Sequence, residues 1–345
     1  MCTNFRFQSS DGTIIVGRSL EFDAELHPYW SYLHAGRQYG SEAPGPQTGL
    51  SWTATYNALV VGALGETWYF DGMNDQGLVV ESLWLPNYTQ YQDEQAANNP
   101  KQALTNLDFI TWCLTNFTTP TEVVDALQNT PVWVWGPTLK LLNGGIAPLH
   151  YALHDAAGDC MVIEYVNGAL MTYENPLGIL TNAPPFEWQQ INLSNYLNLQ
   201  AVTPPSKPFG PMKLTPPGFG GGFLGIPGDW TPPSRFVRVA NMRQYAQPVS
   251  DAAAGINLAE HLLNAVDIPK GDIVTSLSPT KVEYTQFACI WDLTHRLVYY
   301  RSYDDLALKK IDMNQLKLRQ TGQPACLPFN RQEQTPVDMT PSLLS

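Results

Sequence analysis

The chain has 345 residues, 44% of them hydrophobic, with a formal net charge of −12 at pH 7. Its 19 lysines and arginines are outnumbered by 31 acidic residues, which argues against a phosphate-binding surface and therefore against nucleic acid as a partner. A charged fraction of only 14% predicts a packed chain, and no apolar run reaches the roughly 18–20 residues of a membrane span. We therefore expect a single domain over 1–345, cytoplasmic as the sequence stands and periplasmic if an export signal has been removed.

The first predicted element is a hairpin that begins at Cys2. Residues 2–7 alternate in polarity, 9–12 form a turn, and 13–20 are rich in β-branched residues. Aminopeptidases remove an initiator methionine before a residue as small as Cys2, so we expect the mature chain to begin with this cysteine. Its thiol and α-amine, with unperturbed pKa values of about 8.5 and about 7.7–8.0, would provide a nucleophile and a base on one residue. The alternative is that Cys2 is a small buried apolar residue.

Further strands are predicted at 58–64, 67–70 and 77–85, with the turn-rich segment 71–77 between the last two. Two helices should follow. One covers 104–117, and the other begins after Thr119, where Pro120 and Glu122 complete a capping box. We expect these helices to cover one sheet face.

Strand signals return between 150 and 181, including a hairpin of 149–154 and 161–166, and imply a second sheet. Helical periodicity then covers 186–197, 233–245 and 250–266, before two last strands at 282–293 and 297–303. The remaining tail, 319–345, is predicted to be irregular. Strands at both ends of the chain with helices between them predict an α+β fold, a four-layer αββα sandwich of two antiparallel sheets.

The segment 201–231 is rich in proline and glycine and has no period of its own. Loops of this length in compact domains are usually functional or disordered. The apolar residues at 218–229 favour an ordered loop, which we interpret as a wall or lid over a site, with Phe223 and Leu224 contacting substrate.

The cysteines and histidines show no metal-ligand spacing. The cysteine count is odd and there is no C-x-x-C pair, so we predict reduced thiols with neither a disulfide framework nor a zinc site. His150 and His154 would share one face of a strand, which a polar sheet face explains better than a metal pair. We predict no metal and no cofactor.

Several strings of residues together resemble the choloylglycine hydrolase family, which contains bile salt hydrolases and penicillin V acylases. They occur in order from residue 2 to about residue 310: Cys2, G-R-S-L-E-F at 17–22, D-G-M-N-D-Q-G-L at 71–78, L-W-L-P at 83–86, N-P-L-G-I-L-T-N-A-P at 175–184, G-I-P-G-D-W-T-P-P-S-R-F at 225–236, Y-T-Q at 284–286 and Y-Y-R-S-Y-D at 299–304. The resemblance implies an N-terminal-nucleophile hydrolase that cleaves linear C–N amide bonds through an acyl-enzyme. The L-W-L context looks like the Gram-negative branch of the family.

The resemblance also implies roles for single residues. Arg18 matches the arginine beside the nucleophile, where a cation favours thiolate. Asn182 matches an asparagine that donates to the oxyanion, and Arg235 matches an arginine near the catalytic centre. Glu21 stands where many members have aspartate to hold the terminal amine, and Asp23 remains a rival for that role.

Trp84 occupies the other oxyanion position, where bile salt hydrolases usually have asparagine. If the backbone N–H is the donor there, the side chain alters only the pocket, where Trp84 and Phe22 would contact an apolar acyl group. The expected substrate is a small N-acyl amide such as penicillin V, a conjugated bile salt or an N-acyl homoserine lactone. Two alternatives stay open, a non-catalytic small-molecule binder on the same scaffold and an acyltransferase. Relatives are commonly tetramers, so a homo-oligomer is expected.

Overall fold

The computed structural model describes residues 1–63, 68–93, 99–316 and 326–329. The strands in this part of the chain are β1 Cys2–Gln8, β2 Ile14–Phe22, β3 Tyr29–Leu33, β4 Gln38–Glu42, β5 Thr48–Thr53, β6 Ala58–Gly62, β7 Tyr69–Asn74, β8 Val79–Trp84, β9 Ala103–Thr105, β10 Trp133–Trp135, β11 Thr138–Leu139, β12 Gly145–Ile146, β13 Leu149–His154, β14 Cys160–Val166, β15 Ala169–Glu174, β16 Ile179–Leu180, β17 Lys207–Phe209, β18 Met212–Leu214, β19 Ile273–Leu277, β20 Thr280–Asp292, β21 Leu297–Ser302, β22 Asp305–Asp312 and β23 Cys326–Pro328. The α-helices are α1 Phe109–Asn116, α2 Pro120–Asn129, α3 Phe186–Leu193, α4 Pro232–Tyr245, α5 Ala252–Asn264 and α6 Met313–Leu316. None of these helices has both the length and the apolarity needed to cross a membrane.

Two large antiparallel sheets contain most of the strands. One has seven strands in the order β16-β1-β2-β20-β21-β22, with β19 added on β20, and the other has eight in the order β15-β14-β13-β8-β7-β6-β3-β23. The predicted first hairpin is confirmed, with Asn4 paired to Arg18 and Cys2 to Leu20. The predicted division into sheets was wrong, because strands β13–β15 extend the sheet of β6–β8 while the first hairpin joins the last strands of the chain.

Helices cover the outer faces of both sheets, so the predicted αββα sandwich is confirmed. On the eight-stranded sheet, Phe109 of α1 is fully buried and stacks on Tyr151 with ring centroids 4.0 Å apart. On the seven-stranded sheet, α5 packs so closely that a Cβ on Gly255 would meet the Ile15 side chain. Each large apolar side chain buried in these layers contributes about 1.5–3 kcal/mol relative to leaving it exposed.

Two predicted boundaries differ from the structure, and one predicted cap is confirmed. Helix α1 begins at Phe109 rather than at 104, because residues 103–105 pair in parallel with 133–135 as β9 and β10. Strand β7 continues to Asn74, through most of the segment predicted as a turn. The capping box of α2 is confirmed, since the Thr119 side chain accepts from the Glu122 N–H and Glu122 reaches back to the Thr119 N–H.

The two predicted irregular regions contain some regular structure. Within 201–231, β17 and β18 form an exposed hairpin. In the tail, Cys326–Pro328 pairs with β3 as the edge strand of the eight-stranded sheet. The rest of the predicted tail from 319 onward, except Phe329, lies outside the described residues, as do the predicted strand ends at 64 and 67.

Candidate active site

Cys2 is the first residue of β1 and lies at the end of the layer between the sheets. It is 5% exposed, and its neighbours enclose an apolar cavity. The apolar residues that line the cavity are Leu20, Phe22, Leu26, Trp68, Phe70, Leu83, Trp84, Leu141, Leu142, Ala147 and Leu149. A nucleophile in such a cavity would meet the apolar part of a ligand rather than bulk water.

Arg18 contacts the thiol from the neighbouring strand. Because Asn4 pairs with Arg18 in the hairpin, the Arg18 side chain reaches diagonally to Cys2, and its Nη2 lies 3.6 Å from Sγ. The same Nη2 donates to the Ser82 carbonyl at 2.9 Å, and Nη1 pairs with Asp71 at 3.1 Å. Burial raises the pKa of the Cys2 thiol, and the Arg18 charge opposes that rise.

Asn182 joins Cys2 to the other sheet. Its Oδ1 accepts from the Cys2 main-chain nitrogen at 2.7 Å, and its Nδ2 donates to the Trp84 carbonyl at 2.8 Å. The main chain before Asn182 is held by buried groups, since the Thr181 hydroxyl donates to the Pro232 carbonyl and the Thr181 carbonyl lies 3.0 Å from His150 Nε2.

Arg235, in the first turn of α4, is fully buried. Its Nη1 donates to the Cys2 carbonyl at 2.6 Å and to Thr3 Oγ1, and its Nη2 donates to Asn182 Oδ1 at 2.8 Å. Burial lowers the pKa of Arg235, and the charge of Glu21 opposes that change. The guanidinium therefore fixes the main chain of Cys2 and the side chain of Asn182 relative to each other.

Glu21 and Asp23, the two rivals for the amine-holding role, lie in different environments. Glu21 is 1% exposed, accepts from Thr285 Oγ1 at 2.9 Å, and keeps Oε2 without a hydrogen-bond partner. Burial raises its pKa, and the charges of Arg235 and of the Met1 ammonium oppose the rise. Asp23 instead accepts from Thr275 Oγ1 at 2.8 Å and lines an outer cleft together with Met1 and Glu283.

Met1 continues the pairing of β1. Its carbonyl accepts from the Glu21 N–H at 2.8 Å, and its ammonium donates to the Glu21 carbonyl and pairs with Glu283. The outer cleft that Met1 lines shares Phe22, Trp84, Leu141 and Leu142 with the cavity at Cys2. Met1 therefore lies in the space through which a ligand would approach Cys2.

The predicted substrate-contacting residues separate into two groups. Phe22 and Trp84 both line the cavity and pack edge to face, with ring centroids 5.6 Å apart. Phe223 packs on Tyr245, and Leu224 is 83% exposed; neither is among the residues that line the cavity at Cys2. No residue of the segment 201–231 lines it either, so a substrate role for this segment stays a prediction.

Sequence reasoning missed several buried residues that support the site. His150 pairs with Glu164 at 2.9 Å and so holds the Thr181 carbonyl, although it was interpreted only as part of a polar sheet face. Arg238 donates to the carbonyls of Pro227 and Asp229, which fixes the loop that leads into Arg235. The motif at 225–236 contains Pro227 and Asp229, whose carbonyls Arg238 binds, but it ends before Arg238 and does not include His150. Among the described residues no three His, Cys, Asp or Glu side chains are grouped to hold a metal ion.

Comparison with known proteins gives a consistent result. Residues 2–332 match the family described as linear amide C–N hydrolases, choloylglycine hydrolase family. A bile salt hydrolase/transferase of Clostridium perfringens is 30% identical over 322 residues, which cover 92% of this chain and 94% of that protein. Among solved structures, a variant of conjugated bile acid hydrolase from Clostridium perfringens superimposes with a TM-score of 0.84 at 26% identity, covering 98% of this chain and 99% of that one. Penicillin V acylase from Agrobacterium tumefaciens has the same fold, with a TM-score of 0.77 at 23% identity over 95% and 91% of the two chains.

The two stacked sheets, with a cysteine at the start of the first strand and its thiol at a cavity, define an N-terminal-nucleophile hydrolase fold. The chain belongs to the choloylglycine hydrolase family and is a hydrolase of linear amide C–N bonds.

Proposed function

We propose that the mature protein, after loss of Met1, cleaves an N-acyl amide with an apolar acyl part, using Cys2 as both nucleophile and base. The observation that carries this proposal is the pair of contacts at Cys2, with Asn182 on its main-chain nitrogen and Arg18 on its sulfur. Removal of Met1 would turn that nitrogen into an α-amine without moving it from Asn182.

In the proposed reaction, Sγ attacks the amide carbonyl carbon while the α-amine takes the thiol proton. The C–N bond then breaks, the α-ammonium returns the proton to the leaving nitrogen, and a thioester remains on Cys2. Water, deprotonated by the same amine, hydrolyses the thioester and frees the acid. Arg18 stabilises the thiolate, and the unpartnered Oε2 of buried Glu21 is available to hold the ammonium. This favours Glu21 over Asp23, which accepts from Thr275 and lines the outer cleft.

The oxyanion is proposed to lie between Asn182 and Trp84. The Asn182 amide has two N–H groups, and only one is used on the Trp84 carbonyl. A residue in extended conformation directs its N–H and C=O to the same side, so the Trp84 N–H points to the side from which Asn182 binds. The tryptophan side chain is then free to line the acyl pocket, and its identity does not change the oxyanion donor.

The lining of the cavity supports the proposed substrate class. Aromatic and aliphatic side chains surround Cys2, with Phe22 and Trp84 at the point where the cavity meets the outer cleft. Such walls favour an aromatic or aliphatic acyl group, as in penicillin V, a bile salt or an acyl homoserine lactone. The homo-oligomer expected from the resemblance stays a prediction.

The test is a product assay on purified protein with penicillin V, conjugated bile salts, acyl homoserine lactones and simple fatty amides. Cys2→Ala is expected to abolish hydrolysis of every substrate, since no other group replaces the thiol. The matched control is Cys326→Ala, which removes an exposed thiol and is expected to keep full activity. Intact mass should show that Met1 is absent from the active protein.

Three results would contradict the proposal. Normal turnover by the Cys2→Ala protein would show that Cys2 is not the nucleophile. Activity in a protein that retains Met1 would show that the Cys2 amine is not the base. Thermal stabilisation by these ligands without turnover would point to a binding protein instead. Added amine acceptors distinguish an acyltransferase, because aminolysis would then exceed hydrolysis.

A further inference from the structure

A group of buried charges lies behind Cys2, on the far side of Arg18. Asp71 and Glu81 face each other on neighbouring strands β7 and β8, and both are fully buried. Asp71 pairs with Arg18 Nη1 at 3.1 Å. Glu81 accepts from Trp291 Nε1 at 2.7 Å and from Asn4 Nδ2, both neutral donors. Neither carboxylate has a part in the reaction proposed above.

The balance of charge around Arg18 is unfavourable if every acid ionises. One guanidinium would then face two carboxylates and, on its other side, the Cys2 thiolate. Uncompensated charge in a buried layer is costly, so we expect Asp71 and Glu81 to retain one proton between them. Burial raises the pKa of both carboxyls, Arg18 opposes the rise at Asp71, and the charge of Asp71 raises that of Glu81 further.

We propose that Asp71 is a positioning residue that competes with the Cys2 thiolate for the Arg18 guanidinium, and that Glu81 moderates this competition by sharing one proton with Asp71. The proposal rests on the function assigned above to Cys2. When the thiol ionises, its proton goes to the α-amine, and Arg18 becomes paired with Sγ. The shared proton then moves from Glu81 toward Asp71, so that no proton is gained or lost by the carboxyl pair.

Other titratable and charged groups also lie around this cluster, and of these Glu21 likewise raises the pKa of the Cys2 thiol, but the charge of Glu21 is balanced by Arg235 rather than by Arg18. These groups are Glu21 on β2, His154 on β13, Cys160 on β14, Cys289 on β20 and Arg235 on α4. Burial keeps His154 and the two cysteines neutral, since it lowers the pKa of the histidine and raises the pKa of the thiols. Arg235 is bound to Cys2 and Asn182, and its charge acts on Glu21.

The test measures the pH dependence of Cys2 alkylation by iodoacetamide, read on the Cys2 peptide by mass spectrometry because the exposed thiol of Cys326 reacts as well. Asp71→Asn removes the competing anion and is expected to lower the midpoint by about one pH unit, which is about tenfold faster alkylation below the midpoint. Its kcat/KM for hydrolysis should fall as well, because Arg18 loses its only ion pair among the described residues.

Glu81→Gln is expected to raise the midpoint of Cys2 alkylation rather than lower it. Without Glu81 there is no second carboxyl to share the proton, so Asp71 stays ionised, holds Arg18 more firmly and raises the alkylation midpoint. Asp155→Asn is the matched control, since Asp155 is a buried carboxyl at the far end of β13 that only accepts backbone N–H groups of its turn. Its midpoint should equal that of the wild type.

A midpoint in folded Asp71→Asn that is unchanged or higher overturns the proposal, and so does a midpoint in Glu81→Gln that is unchanged or lower. If Asp71→Asn does not fold, Glu81→Gln decides alone. Alkylation needs no turnover, so these outcomes remain separate from failure of the proposed function, which an active Cys2→Ala protein would reveal.

Discussion

Asn182 is the residue through which the parts of the site are connected, because it contacts Cys2, Trp84 and Arg235 at once. Its side chain is 2% exposed, and both of its polar atoms are used. A short polar residue in this position can hold the future amine with one atom and offer a donor to the oxyanion with the other.

Asn182→Ala is therefore expected to lower kcat by about 10²–10³, as for loss of one oxyanion donor. Steady-state kinetics on the best substrate of the panel would measure the effect. Asn241→Ala is the matched control, because it removes another buried asparagine amide, one that donates only to Val237 within α4. If kcat falls by the same small factor in both variants, Asn182 has a structural role and the oxyanion donor lies elsewhere.

Glycine at position 17 illustrates how a motif residue supports a neighbour without taking part in chemistry. A Cβ at Gly17 would lie within 2.3 Å of the Phe5 ring, so any side chain there would push the hairpin apart. Arg18 follows directly and depends on the register of this hairpin to reach Cys2.

At the scale of elements, local signals were reliable where the stabilising contacts are themselves local. The capping box of α2 is made within four residues, and the sequence predicted it. The start of α1 depends on a parallel pairing between residues about thirty positions apart, which no local pattern reports.

Thr119→Ala should lower the free energy of unfolding by about 1 kcal/mol, because it removes the side-chain acceptor at the N-terminus of α2. A decrease of about 2 °C in Tm is the expected size in a domain larger than 150 residues. Thr121→Ala, exposed in the same first turn, is the control and should leave Tm unchanged. Since α2 lies on the outer face of the eight-stranded sheet, hydrolysis should be unaffected, and a lost activity would contradict this placement.

At the scale of the whole molecule, polar side chains buried between the sheets make stability depend on pH. His154 is fully buried, and its Nε2 lies 3.0 Å from Asn4 Oδ1. Burial, with a smaller contribution from Arg6, lowers its pKa to about 3. In the unfolded chain the same imidazole has a pKa of about 6.5. The unfolded state therefore binds more protons between these values, and stability falls as pH falls.

Proton uptake by His154 on unfolding is expected to lower the free energy of unfolding by about 3 kcal/mol between pH 7 and pH 4. Urea unfolding across that range would measure the slope in the wild type and in His154→Gln. The His154→Gln variant should have a lower free energy of unfolding than the wild type at pH 7, but this free energy should fall less between pH 7 and pH 4. His261→Gln, at an exposed histidine of α5, should keep the wild-type slope. An unchanged slope in His154→Gln would mean that His154 is not the group that takes up the proton.

The sequence by itself predicted most of the strand-forming and helix-forming segments, the four-layer class and the family, and it named Cys2, Arg18, Asn182 and Arg235 as candidates for the site. It could do so because periodicity, caps and turns act over a few residues, and because the family motifs stand in order along the chain. The tertiary structure decided which strands share a sheet, since pairing such as β2 with β20 joins residues more than 250 positions apart. It also decided that Glu21 rather than Asp23 is buried beside Cys2, that Phe223 packs on Tyr245, and that Asp71 and Glu81 meet behind Arg18. Burial and the sharing of one guanidinium are properties of packed layers, and a linear pattern does not contain them.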